Sequence, residues 1–295
     1  MTAPETAAAR SGIIAIRRSH QEPTPARGER SPWSRRFVVG LAIVMLAIAG
    51  GIARSSAAAG DAAIAFGADF TEPPGQVIID GMMSGSDYEL CNALAQAMGA
   101  KATWSNIDFG SLIAALNARR IDAACSSVDI TPARQNVVSF VPYRLDSEGA
   151  AVQYGNPKQV KGPGDICGLN AAELLGSVYQ TVVEQQSAAC TQAGKKPVDL
   201  RTFNTVADAF AQLLNGRADV VVGDAPIMAY YVQKQPTKTS MAFQGINPKE
   251  VGIALRKDDG ALQQKLQAAL RKLQADGTYA RILAKWNLAS EELKN

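Results

Sequence analysis

Residues 112–122 (LIAALNARRID) are followed by Ala-Ala-Cys-Ser-Ser, and residues 209–219 (AFAQLLNGRAD) are followed by Val-Val-Val-Gly-Asp. Each copy combines an amphipathic helix pattern, an Arg-x-Asp turn and an apolar strand that ends in a polar residue. Gly216 in the second copy is placed to end its helix in the left-handed conformation. One such pair is common in α/β proteins, so the neighbouring segments must decide whether the copies belong to two related halves.

Each copy follows a further strand–helix–strand pattern. The predicted strands and helices are, in the first half, 63–67, 88–98 and 102–104, and in the second half, 171–175, 177–189 and 198–203. This alternation predicts two α/β lobes with parallel sheets and helices on both faces, closed by a C-terminal helix over 261–286 that is interrupted at Asp276-Gly277. Ligands bind beyond the carboxyl ends of such strands, where Ser127 and Asp224 fall.

The first copy runs into residues 126–134 (SSVDITPAR), which combine a strand end with a helix start. Residues 121–125 predict the strand, and Thr131 followed by Pro132 is typical of an N-cap and the first helical position. Arg134 then falls in the first turn, where the helix dipole disfavours a cation. Two interpretations remain: a solvated arginine on a short connecting helix, or a carboxylate site built from helical N–H groups and a guanidinium.

The N-terminal segment differs in composition from the rest of the chain. Residues 1–36 are rich in Arg, Pro, Ser and Ala without an apolar period, and we expect a disordered basic leader. An uncharged apolar run at 37–53 and a small-residue site at 57–59 predict a signal sequence over 37–59, hence a periplasmic protein. Arg35-Arg36 resembles the twin-arginine export pattern. The alternative is a membrane anchor formed by 37–53.

Charge and histidine content exclude several function classes. Eight arginines and three glutamates lie in residues 1–59, which leaves 22 basic and 24 acidic residues, a net charge of about −2, in 60–295. We therefore expect no nucleic-acid partner. The single histidine is His20, so residues 60–295 carry neither a Ser-His or Cys-His nucleophile pair nor a His-ligated metal site. We expect no metal and no cofactor.

The four cysteines contain no C-x-x-C, which argues against a zinc or thioredoxin-like site. An even number in an exported protein is typical of disulfides. Cys167 and Cys190, both in the middle of the chain, are the preferred pair. Cys91 and Cys125 form either a second disulfide or two buried thiols.

Five segments in order resemble one known family: residues 85–95 (GSDYELCNALA), 104–113 (WSNIDFGSLI), 126–134 (SSVDITPAR), 221–226 (VVGDAP) and 273–286 (LQADGTYARILAKW). They are similar to the periplasmic amino-acid-binding receptors of ABC transporters, the bacterial extracellular solute-binding proteins of family 3. The resemblance covers essentially all of residues 62–288.

The resemblance implies a type II periplasmic-binding-protein fold: two lobes, each a mostly parallel sheet flanked by helices, joined by a two-segment hinge. Lobe 1 would comprise residues 60–143 with 253–295, and lobe 2 residues 149–247. The hinge would comprise 144–148 and 248–252. The ligand would be trapped between the lobes.

The resemblance also implies site residues. Arg134 matches the arginine that binds the ligand's α-carboxylate, and Asp224 the carboxylate that binds its α-ammonium. The further positions that line this family's site are Asp69, Phe109, Ser127, Asp129 and Ser177. A zwitterion needs a fixed cation and a fixed anion, and dividing them between lobes makes binding favour the closed state.

Residues 69–75 (DFTEPPG) depart from the family pattern, because Glu72 stands where an aromatic residue usually stacks on the ligand side chain, and Gly75 also replaces an aromatic residue. A more open and more acidic pocket favours a cationic or polar amino acid such as arginine or lysine. The alternative is that Glu72 turns to solvent and carries no information on the ligand.

The function that the resemblance implies is an extracytoplasmic receptor, expected to be monomeric and not an enzyme, that delivers an amino acid to an ABC permease. One alternative is a cleft enzyme of the cyclohexadienyl (prephenate or arogenate) dehydratase type, with Glu72, or Glu173 if it faces the cleft, as the proton donor. Another is a ligand sensor tethered to a membrane by residues 37–53.

Overall fold

The computed structural model describes residues 62–293. The strands are β1 Ala62–Ala68, β2 Thr71–Glu72, β3 Gln76–Ile79, β4 Met82–Ser84, β5 Ala100–Asn106, β6 Ala123–Asp129, β7 Val138–Gln153, β8 Asn170–Leu174, β9 Asp199–Phe203, β10 Val220–Asp224 and β11 Thr239–Arg256. The helices are α1 Ser86–Ala97, α2 Leu112–Asn117, α3 Pro132–Gln135, α4 Val178–Gln192, α5 Val206–Leu214, α6 Ala225–Lys234, α7 Gly260–Ala275 and α8 Thr278–Lys285. The predicted leader, signal sequence and alternative anchor lie outside the described residues. No helix within 62–293 has the length and apolar character needed to cross a membrane.

The internal repeat is present, as α2–β6 and α5–β10, and its Arg-x-Asp turn has a structural role. Each helix is followed by a residue with positive φ, Arg119 at 57° and Gly216 at 68°, and glycine adopts this conformation without a Cβ clash. The turn aspartate, Asp122 or Asp219, then accepts a hydrogen bond of 2.9 Å from a backbone N–H of the adjacent strand, β1 or β8. The repeated motif therefore fixes helix–strand packing in both lobes.

The main sheet has eight strands in the order β5-β1-β6-β11-β7-β10-β8-β9. Strands β5, β1 and β6 pair in parallel at one end, and β10, β8 and β9 pair in parallel at the other. Both predicted parallel sheets are thus present. The long strands β7 and β11 connect them by antiparallel pairing with each other and with β10 and β6.

The predicted hinge segments, 144–148 and 248–252, lie inside β7 and β11, where Asp146 stands opposite Lys249. The pairing register shifts on both sides of this pair, and such irregularities bend a strand locally. The residue boundaries of the lobes and the hinge remain predictions. We keep lobe 1 and lobe 2 as names for the two predicted sets of residues.

The structure differs from the expected local elements in two places. The strand expected to end at residue 125 continues to Asp129, and the helix that follows is a single turn, α3, in which Thr131 caps the N–H of Arg134 as predicted. Residues 71–84 form an unexpected three-stranded antiparallel sheet, β2-β3-β4. This small sheet carries Glu72.

Both cysteine pairs form disulfides. Cys91 on α1 is bonded to Cys125 on β6, and Cys167 is bonded to Cys190 on α4. Each bond lies within one lobe. The preferred pair, Cys167 and Cys190, is confirmed. Of the two alternatives for Cys91 and Cys125, the disulfide is the one present.

Replacing both Cys167 and Cys190 by alanine should lower the free energy of unfolding by about 3 kcal/mol, because the bond closes a loop of 23 residues and so restricts the unfolded chain. The Cys91→Ala/Cys125→Ala variant should lose more, since both sulfurs are fully buried and their removal leaves cavities. Urea unfolding under oxidising conditions measures both values. A loss below about 1 kcal/mol for either pair would contradict a stabilising role.

Candidate ligand-binding site

The predicted site residues converge at the carboxyl ends of three strands, between the lobes. Asp69 directly follows β1, Asp129 ends β6 and Asp224 ends β10. Asp129 and Asp224 line a cavity of about 20 Å³. Its lining includes five of the predicted residues together with apolar side chains of lobe 2: Glu72, Phe109, Asp129, Ser177 and Asp224, with Leu174, Val206, Ile227 and Met228. This volume suits a water molecule and is far below that of an amino-acid pocket, so side chains or lobes must move to admit one.

Arg134 lies in the cleft and contacts both lobes. Its guanidinium donates to the carbonyl of Asp129 at 2.9 Å and to the carbonyl of Gly176, in lobe 2, at 3.1 Å. It also lies over the ring of Phe109, 5.3 Å from the ring centre, in a cation–π arrangement. The side chain is only 11% exposed, so the interpretation as a solvated surface arginine is wrong. Its role as a carboxylate ligand remains a prediction.

Asp129 and Asp224 meet at a third charged residue, Lys249. The Lys249 Nζ atom lies 3.1 Å from Asp129 Oδ1 and 3.6 Å from Asp224 Oδ1. It also donates to the hydroxyl of Tyr179, which donates to Asp224 Oδ1 at 2.6 Å. Asp224 occupies the N-cap position of α6, but its side chain makes no capping hydrogen bond. The Asp224 carboxylate therefore contacts Tyr179 and Lys249 in the cleft and does not cap the helix.

Burial and neighbouring charges shift the pKa values of these groups. Desolvation and the nearby carboxylate of Asp224 raise the pKa of Asp129 to about 6, against the opposing effects of Lys249 and Arg134. Desolvation lowers the pKa of Lys249, but the carboxylates of Asp224 and Asp129 outweigh it and raise the pKa overall. Lys249 is thus held as a cation.

Glu72 lies on the lobe 1 side of the cavity and is 3% exposed. One carboxylate oxygen, Oε2, accepts a hydrogen bond of 3.0 Å from the hydroxyl of Ser126. Desolvation, followed by repulsion from Asp69 and Asp224, raises its pKa well above the usual range. The alternative in which Glu72 turns to solvent is wrong.

Asp69 is buried behind the cavity surface and organises the loop after β1. Its carboxylate accepts hydrogen bonds from the N–H and hydroxyl of Thr71, at 3.0 and 2.7 Å, and from the N–H of Phe109 at 3.3 Å. Desolvation raises its pKa, and the hydrogen bonds with Thr71 oppose this shift. Asp69 thus positions the loop that carries Glu72.

The two predicted serines have different surroundings. Ser177 lines the cavity and caps α4, its hydroxyl accepting from the N–H of Gln180 at 3.1 Å. The Ser127 hydroxyl points into lobe 1, where it donates to Asp87 Oδ2 at 3.0 Å and accepts from the fully buried Arg144 at 2.7 Å. The structure therefore brings Ser177 together with the other site residues, while Ser127 supports the strand end beside them.

Sequence reasoning missed Lys249, Tyr179 and Ser126. Lys249 lies within the predicted hinge, so a cation next to the expected binding cleft was a signal that could have been used. Tyr179 follows the predicted site residue Ser177 by two residues, in the first turn of a helix that starts at the cleft. Ser126 and Ser127 are adjacent on one strand, and nothing in the sequence tells which of them faces Glu72.

Glu173 does not line the cavity. It is fully buried in lobe 2, where its Oε1 accepts from the N–H of Val222 at 2.9 Å, between β8 and β10. Desolvation raises its pKa. The suggestion that Glu173 could donate a proton in the cleft is therefore wrong.

Comparison with known proteins agrees with this geometry. Residues 64–289 match the model of the bacterial extracellular solute-binding proteins, family 3. The chain belongs to this family. The ABC transporter arginine-binding protein 1 of Escherichia coli K12 is 33% identical to this solute-binding protein over 229 residues, 76% of the chain and 90% of the relative.

Two solved structures extend the comparison. An ancestral arginine-binding protein bound to arginine is 30% identical to the solute-binding protein, with a TM-score of 0.71 and coverage of 76% of this chain and 97% of that one. An ancestral amino acid-binding protein, described as a precursor of cyclohexadienyl dehydratase, is 27% identical, with a TM-score of 0.69 and coverage of 76% of this chain and 95% of that one. The solute-binding protein therefore has the two-lobed type II fold and groups with receptors and not with enzymes.

Proposed function

We propose that this protein is an extracytoplasmic receptor that captures a cationic L-amino acid, arginine first, by closure of its lobes and delivers it to an ABC importer in the inner membrane. It acts as a monomer in the periplasm, after export that can follow the twin-arginine route. The arginine-binding relatives support the substrate class. The observation that carries the proposal is the buried carboxyl group of Glu72 on the cavity wall.

The charge balance of the cleft supports a cation. The described residues of the cleft include four carboxylic acids and two cations. The acids are Asp69, Glu72, Asp129 and Asp224, and the cations are Arg134 and Lys249. A buried carboxylate needs a cation or hydrogen-bond donors to remain ionised. A guanidinium group beside Glu72 would provide both, in the planar arrangement that matches a carboxylate.

The position of the opposite charges supports a zwitterionic backbone in the ligand. Arg134 lies on α3, the single helical turn that follows β6 in lobe 1, and Asp224 ends β10 in lobe 2. The α-carboxylate would take the N–H groups of Arg134 that are not bonded to Asp129 and Gly176, with Ser177 beside them. The α-ammonium would lie at Asp224. Both contacts form together only when the lobes are close, so closure is coupled to binding.

The test is the melting temperature of the purified protein with L-arginine, L-lysine, L-citrulline, L-glutamine and L-glutamate. A ligand at a hundredfold excess over its dissociation constant stabilises the folded state by about 2.7 kcal/mol, which corresponds to a shift of roughly 5–10 °C. L-arginine should give the largest shift. Equal shifts with L-citrulline, which has the same shape without the charge, would contradict the proposed selectivity for a cation.

Replacing Glu72 by glutamine should reduce the preference for L-arginine over L-citrulline by about 10- to 100-fold, because a charge-assisted hydrogen bond contributes roughly 1.5–3 kcal/mol. Calorimetric titration of both ligands measures the ratio. The Glu184→Gln variant, at an exposed position on α4, is the matched control. An unchanged ratio would show that Glu72 does not contact the ligand side chain.

A further inference from the structure

The structure contains an ammonium group at the position that the proposed ligand needs. Lys249 Nζ lies between Asp129 of lobe 1 and Asp224 of lobe 2, at 3.1 and 3.6 Å, and over the ring of Tyr179 at 3.8 Å from its centre. The Lys249 side chain is 21% exposed, whereas those of Asp129 and Asp224 are 4% and 8% exposed. Two buried carboxylates and an aromatic face are a surrounding that selects an ammonium group.

We infer that Lys249 is an internal counter-cation that holds the ammonium position of the cleft, so that a ligand with an α-amino group must displace it and Lys249 determines the preference between amino and des-amino ligands. The inference rests on the proposed function. It adds a specificity-determining residue that the predicted site did not contain.

Displacement follows from charge and from hydrogen-bond geometry. Two ammonium groups at the same pair of carboxylates would repel each other at close range. Lys249 also satisfies Asp129 incompletely, because Asp129 Oδ1 is buried and accepts no well-aligned hydrogen bond from any residue in 62–293. Lys249 Nζ, 3.1 Å from this oxygen, balances its charge and lowers the pKa of Asp129, but without the alignment of a full hydrogen bond. An α-ammonium that approaches from the cavity is free to align with this oxygen.

The direction of the charges argues against Lys249 as a ligand for the α-carboxylate. The groups around its Nζ atom are the carboxylates of Asp129 and Asp224 and the hydroxyl of Tyr179, with Asp146 opposite it on β7. A ligand carboxylate placed there would face these anions. Arg134, which lies above Phe109, is the cation that remains for it.

Lys249 has opposite consequences for two ligands that differ by one group. L-arginine must displace Lys249 before its α-ammonium reaches Asp129 and Asp224. The des-amino analogue 5-guanidinopentanoate has no ammonium, so Lys249 stays and keeps both carboxylates paired. In a variant without the lysine, L-arginine meets no competitor, whereas the analogue leaves Asp224 without the cation that paired it and Asp129 with Arg134 alone, 3.6 Å away. A buried carboxylate that has lost its cation is unfavourable.

The experiment is calorimetric titration of the wild type and the Lys249→Met variant with both ligands. We expect the variant to bind L-arginine at least tenfold more tightly and 5-guanidinopentanoate at least tenfold more weakly. The Lys249→Arg variant, which keeps the charge, should behave as the wild type, and the Lys257→Met variant, at an exposed position after β11, should change neither value. Weaker binding of both ligands would indicate that Lys249 contacts the carboxylate, and unchanged affinities would indicate no role, so either result overturns the inference.

A second measurement separates this inference from the proposed function. If neither ligand binds to any variant, the assignment to arginine fails, but Lys249 still links Asp129 to Asp224 across the cleft. Small-angle scattering without added ligand should then give a larger radius of gyration for Lys249→Met than for the wild type and Lys249→Arg. Equal radii would overturn the role of Lys249, and melting curves of each variant verify that it is folded.

Discussion

The Arg134→Met variant is expected to bind L-arginine at least a hundredfold more weakly than the wild type. The Arg134 side chain is only 11% exposed. Removing one member of such a buried, hydrogen-bonded charge pair costs about 2–5 kcal/mol of binding free energy. The guanidinium also contacts the carbonyl of Gly176 in lobe 2, so its loss weakens the closed state as well. Calorimetric titration measures the change.

Two controls define the origin of this loss. Arg134→Lys keeps the charge but not the planar fork of the guanidinium. Its affinity for L-arginine should therefore lie between those of Arg134→Met and the wild type. Arg201→Met removes an arginine that is 62% exposed on β9 and should leave binding unchanged. An affinity of Arg134→Met within threefold of the wild type would mean that the ligand carboxylate binds elsewhere.

Replacing Asp224 by asparagine is expected to weaken L-arginine binding by a similar factor, about a hundredfold. Asparagine keeps the size and one hydrogen-bond acceptor for Tyr179 but removes the anion that the α-ammonium requires. The dissociation constant and the melting temperature without ligand should be measured together. Asp224 also contacts an internal cation, Lys249, so part of the change will appear as altered stability.

The matched control for Asp224→Asn is Asp199→Asn, since the Asp199 side chain is 58% exposed and lies in the same lobe. The control should change neither the dissociation constant for L-arginine nor the melting temperature without ligand. If Asp224→Asn retained full affinity, Asp129 would be the principal contact of the α-ammonium, and Asp129→Asn would then show the loss.

Much of the fold could be predicted because its signals are local. The helix–turn–strand repeat has a strong apolar period, and its Asp122 and Asp219 make equivalent bonds to neighbouring strands. Thr131-Pro132 marks a helix start through the chemistry of two adjacent residues. The rule that parallel strands present their carboxyl ends at one edge placed Asp224 correctly, whereas the strand expected to end at residue 125 continues to Asp129.

What could not be predicted depends on long-range placement. The β2-β3-β4 sheet consists of strands of two to four residues, which are too short to show an alternating pattern. Ser127 has a φ of 44°, a conformation unusual for serine, so the face that each serine presents could not be inferred from strand alternation. Lys249 reaches Asp129 and Asp224 only because β11 crosses between the two ends of the sheet.

The disulfide connectivity bears on how the chain is made. Along the sequence the first cysteine pairs with the second and the third with the fourth, at separations of 34 and 23 residues. A chain that is threaded into an oxidising compartment from its amino terminus would therefore present each pair of thiols in turn, and the first pair can react before the next arrives. Oxidation in this order of appearance would yield the native bonds directly, so a chain exported in this way would need an oxidant for its thiols but no reshuffling of bonds.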